Sequence, residues 1–97
     1  MTASELQINE LTQNGIVYTW RVNRTDWVLD IYIQHKSSEG QVLRIGYNYQ
    51  TSNSEPPEIE ISDSLLTKTI IFALKQGWLP TEPGLVDFVI YGEEVDP

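Results

Sequence analysis

The chain has no cysteine, a single histidine and only six basic residues, against fourteen acids, among its 97 residues. Each shortage removes a class of chemistry. Without cysteine there is no disulfide, thiolate nucleophile, zinc–cysteine site or iron–sulfur cluster. A formal charge of −8 opposes direct binding to nucleic acid, whose affinity comes largely from Lys and Arg neutralising phosphates. The longest apolar run, Ile70 to Leu74, has five residues, whereas a membrane-spanning helix needs roughly 20. Met1 to Asn14 lacks the basic start and apolar stretch of a signal peptide. A cytoplasmic location with no membrane partner is the expectation. There is also no Gly-x-Gly-x-x-Gly, Walker or Gly-x-Ser-x-Gly pattern. Neither a catalytic residue nor a cofactor is therefore expected.

What is present suffices for one small core: 40% of residues are hydrophobic and 10% aromatic, in a chain of one-domain length. Period-two alternation dominates the first half. Ile16, Tyr18, Trp20 and Val22 alternate with Val17, Thr19, Arg21 and Asn23; Trp27, Leu29, Ile31 and Ile33 alternate with Val28, Asp30, Tyr32 and Gln34. Leu43, Ile45, Tyr47 and Tyr49 repeat the pattern. Such alternation, rich in β-branched and aromatic residues, marks half-buried strands. Polar connectors at 23–26 and 37–40 complete an antiparallel meander. The N-terminus reads two ways. Thr2 to Glu5 has capping-box spacing for a helix over 3–13, while Leu6 and Ile8 alternate towards a strand near 5–11 that would pair with 16–22 through an Asn14-Gly15 turn.

Ser62 or Asp63 can cap a helix over about residues 63–76, with Gly77 as its left-handed stop. Leu66, Ile70, Ala73 and Leu74 recur at helical spacing and should face the meander. Gly84 and Gly92 look like turn glycines. Val86, Phe88 and Ile90 alternate as a last strand, so the fold class is α+β: an antiparallel sheet of four to five strands with one helix on one face.

If the helix covers Trp20, Leu29, Ile31 and Ile45, the opposite sheet face carries Val17, Arg21, Val28, Asp30, Tyr32 and Arg44, extended by Val89 and Tyr91. Val, Tyr and Arg in that mixture resemble interface cores more than a solvated face, and a symmetric homodimer is the simplest partner. Asp30 would neutralise Arg21 or Arg44. Two further surfaces compete. Residues 53–97 carry nine acids and two bases, a net −7 against −1 for residues 1–52. Glu55, Glu58, Glu60, Glu93 and Glu94 could therefore meet a basic protein, as an inhibitor, an immunity protein or a nucleic-acid mimic does. Tyr47, Tyr49 and Trp78 could line an aromatic ligand pocket. The acids match no calcium-loop pattern, and His35, at a strand end beside Lys36, reads as a surface histidine, so no metal is expected.

Ala73, Leu74, Gly77, Trp78, Pro80, Pro83, Gly84 and Phe88, together with the Tyr18-x-Trp20 strand, give the second half a recognisable shape. It resembles small bacterial accessory proteins of the integron-cassette or immunity type, in which a capped helix is followed by Gly-Trp-x-Pro. The resemblance implies a mobile-gene context and carries no catalytic residue.

Overall fold

A computed structural model describes residues 8–24, 28–38, 40–48 and 61–95; the side chains of Val28, Asn48, Glu93 and Glu94 lie outside that description. The alternating segments become β1 (Asn9–Gln13), β2 (Ile16–Arg24), β3 (Val28–His35) and β4 (Leu43–Asn48). Then come α1 (Asp63–Gln76), β5 (Phe88–Tyr91) and the short α2 (Gly92–Val95). The strands lie in sequence order in one five-stranded sheet. The fold is α+β, and β1 to β4 pair antiparallel throughout.

The N-terminal ambiguity resolves to a strand. Asn14 and Gly15 adopt φ of 53° and 76°, the pair of positive values that a two-residue type I′ hairpin requires. Gln13 pairs with Ile16 and Leu11 with Tyr18, so β1 ends at residue 13, two residues later than the alternation suggested. Residues 1–7 lie outside the description.

The sheet is mixed, because β5 pairs parallel to β4. The path from β4 to β5 runs through α1, and a crossover through a helix returns the chain in the same direction, unlike a hairpin. β5 also starts two residues later than its alternation suggested. Val86 is 85% exposed, and its carbonyl instead accepts a hydrogen bond from Gln41 Nε2 at 2.9 Å.

The helix ends follow from chemistry local to them. Ser62 Oγ accepts from the Leu65 N–H at 3.1 Å, so Ser62 is the cap and Asp63 occupies the first turn, where negative charge suits the helix dipole. At the other end Gly77 takes φ 110°. Its N–H donates to Leu74 and that of Trp78 to Ala73, the bond pair that terminates a helix at a left-handed glycine. Trp78, 2% exposed, then drops into the core beside Ala73.

The core lies between α1 and one sheet face. Leu66, Ile70 and Ala73 meet Ile31, Ile33, Leu43, Ile45 and Ile90, each leucine or isoleucine side chain contributing about 1.5–3 kcal/mol by burial. Leu74 is not part of it. Thr69 takes the buried place on the helix stripe, its hydroxyl donating to the Leu65 carbonyl at 2.8 Å, while Leu74 lies exposed at the edge.

Gln41 ties the loops to this core. Its side chain accepts from the Leu79 N–H at 2.9 Å, and its carbonyl accepts from Trp78 Nε1 at 2.8 Å. Next to it, a Cβ on Gly40 would lie 2.1 Å from the Pro80 carbonyl oxygen, so glycine alone admits this backbone approach. Gly92 is likewise a packing glycine and not a turn residue: it opens α2, and a side chain there would overlap the Tyr47 ring.

Candidate functional site

With α1 on one side, the other sheet face has no covering element among the described residues. Strand register fixes what it displays. Arg21, Tyr32, Arg44 and Val89 form one row across four strands, and Asn23, Asp30, Gly46 and Tyr91 form the next. Of the sequence-derived interface set, Val17, Arg21, Asp30, Tyr32, Arg44 and Tyr91 share this face. Val28 opens β3 on the same alternation, with its side chain outside the description.

The face has an apolar edge and a polar centre. Val89 is 47% and Tyr91 56% exposed along β5. The Arg21 guanidinium carbon lies 4.4 Å from the centre of the Tyr32 ring, a cation–π contact worth about 0.5–1 kcal/mol at an exposed site. Arg44 Nη2 donates to Asp30 Oδ2 at 3.3 Å. Asp30 is only 6% exposed although it points away from the core. Gly46 makes room for it, since a Cβ there would sit 3.4 Å from Asp30 Oδ1 and 3.7 Å from the Tyr91 ring. The hydrogen bond and charge of Asp30 raise the Arg44 pKa further above its already high ordinary value, with Asp87 adding a weaker attraction.

The charges therefore sort themselves. Asp30 neutralises Arg44 and not Arg21, and Lys36 pairs with Glu10 at 2.6 Å. Arg21 and Asp87 are left without an ion-pair partner among the described residues. Two cations and two anions make this part of the face electrically neutral in a protein of net charge −8. Next to Arg21 is a shallow depression of about 80 Å³ lined by Ile8, Thr19, Tyr32, Gln34 and Val42. Sites for drug-sized ligands run to roughly 300–1,000 Å³, so this one fits a single protruding side chain.

Of the other candidate residues, the described Tyr47 and Trp78 are not brought together. Trp78 packs on Tyr18 with ring centres 5.8 Å apart and spends its N–H on Gln41. Tyr47 pairs with Leu29 across β3, six residues along that strand from the His35 that pairs with Tyr18, a separation of roughly 20 Å. Tyr49 lies outside the described residues, as do Glu55, Glu58 and Glu60. Glu93 and Glu94 belong to α2, their side chains outside the description.

His35 has a structural task. Its Nδ1 accepts from the Ser37 and Ser38 N–H groups at 3.2 and 3.1 Å, and its ring meets Tyr18 edge-on. Among the described residues no three acidic or histidine side chains converge as metal ligands, and no helix is long and apolar enough to cross a membrane.

Ile8 and Asp87 lie outside the interface set expected from the sequence, although Asp87 shares the alternation of Val89 and Tyr91 there. Ile8 needed the β1 register. No family model, curated protein or solved structure matches the chain.

Proposed function

We propose that this protein is a non-catalytic interaction module that binds through the uncovered face of its sheet, with a second copy of itself as the partner. The observation that carries the reading is the row of Arg21, Tyr32, Arg44 and Val89 beside exposed Tyr91, its two cations balanced by Asp30 and Asp87. Tyr and Arg are the residue types enriched where interfaces concentrate their energy. Charge selects the partner. Two copies meeting over their acidic halves would oppose −7 to −7, whereas this face sets neutral surface against neutral surface. The engagement of His35 in its own turn supports a role without catalysis.

Sedimentation equilibrium across the micromolar range tests the proposal. A concentration-dependent dimer is expected, weakened by Tyr32→Ala and abolished by Val89→Asp. A chain that stays monomeric at the top of that range would end the self-association reading.

The net −7 of residues 53–97 supports a second reading, in which a basic protein binds the acidic half. Its signature is an association rate that falls steeply with added salt. Binding indifferent to salt would dismiss it.

A further inference from the structure

Arg21 and Asp87 stand at opposite sides of the uncovered face, on β2 and just before β5, with β3 and β4 between them. Three strand spacings separate them, roughly 14 Å. That exceeds the screening length of about 8 Å at physiological salt. Within one chain they cannot neutralise each other. Each is exposed, and among the described residues each is the one of its sign on this face that has no ion pair.

Resting on the reading that the sheet face binds a second copy, we infer that Arg21 of each copy pairs with Asp87 of the other. The arrangement follows from symmetry. In a two-fold interface, if one residue contacts a second, the second contacts the first in return. A two-fold axis lying in the contact plane, along the strands between β3 and β4, sets β2 of each copy against β5 of the other. Arg21 then faces the edge that carries Asp87, Val89 and Tyr91. Both unpaired charges find opposite partners, twice per dimer. The exposed apolar edge covers the Arg21–Tyr32 platform and the adjoining depression. Tyr32 and Arg44 fall near the axis, where interface energy concentrates.

The face also sets the strength. The four strands that meet, of about six residues each, present a patch roughly 14 Å by 20 Å, below the ~800 Å² per partner of a standard interface even after allowing for side-chain relief. The dimer is accordingly of the small, transient class.

A charge exchange tests the pairing, read by sedimentation equilibrium with circular dichroism confirming that each variant is folded. Arg21→Asp and Asp87→Arg each place like charges together twice, and each is expected to raise Kd about tenfold or more. The double variant restores the opposite-charge contact and returns Kd to within about threefold of the original. Asp87→Asn, which removes charge without reversing it, falls between. If the unaltered protein dimerises and Val89→Asp abolishes the dimer, but the double variant is no tighter than the singles, the Arg21–Asp87 pairing is wrong and the sheet-face contact stands. A monomeric unaltered protein overturns both.

Discussion

The two faces of this sheet come from the same strands and the same alternation, yet they are built for different ends. The inner face buries Tyr18, Ile31, Ile33, Leu43 and Ile45 under α1 and Trp78. Buried polar atoms there such as the Trp78 N–H and the Thr69 hydroxyl are matched within the chain, with Gln13 Oε1 an exception. The outer face keeps Val89 and Tyr91 in solvent and, among the described residues, leaves one cation and one anion without ion pairs. Where groups are satisfied internally, a substitution changes folding. Where groups are left over, it would change the proposed association.

Substitutions on the inner side should therefore cost stability and leave the dimer constant untouched wherever the fold persists. Trp78→Ala is expected to have the largest effect, about 4 kcal/mol by urea denaturation, because it empties a large core site and strands the Gln41 carbonyl. Gly40→Ala follows at about 3 kcal/mol, since its new methyl meets the backbone of Pro80 and Glu82 and not a movable side chain. Ser62→Ala removes the cap on the Leu65 N–H and should cost about 1 kcal/mol. Val89→Ser on the outer face reverses the pattern: unfolding moves by about 0.5 kcal/mol or less, while dimerisation weakens measurably. An equal loss of stability from Val89→Ser and from Ser62→Ala would erase the distinction between the faces.

The smallest effect is one of pH. Burial raises the Tyr18 phenol above its ordinary 10.0. Its folded pKa thus exceeds the unfolded one, and the associated stability is full below about pH 10 and lost as pH rises through the folded value. Tyr18→Phe should flatten that alkaline decline in a thermal-unfolding series.

Much of the fold was legible because its signals are local. Alternation in 16–24, 28–35 and 43–48 is a property of neighbouring residues, as are Ser62 at the start of α1 and Gly77 at its end. The outer-face set followed from parity alone once one face was assigned to the helix. Parity could not choose the partner of Asp30, because Arg21 and Arg44 lie on the same face, on flanking strands. Register sets both arginines opposite Tyr32 and diagonal to Asp30; side-chain packing chose Arg44, with Arg21 stacked on the Tyr32 ring. Nor could spacing show that Trp78 and Tyr47 point into opposite ends of the inner face, or that Leu74 misses the core while Thr69 enters it. Those depend on the angle at which α1 meets the sheet.

By itself, the sequence determined the β2–β4 meander, the helix with its caps and the concentration of net charge in residues 53–97, and it left the Asn14-Gly15 hairpin as one of two readings. Each of these follows from forces acting over a few residues: steric limits on φ, hydrogen bonds to free helix ends, and the pleat. Tertiary structure decided that β5 runs parallel to β4, that Gln41 joins its own loop to the one between α1 and β5, and that Arg21 and Asp87 end up on one face yet too far apart to pair. Those outcomes depend on residues far apart in the chain. Only closing the sheet sets the distances between them.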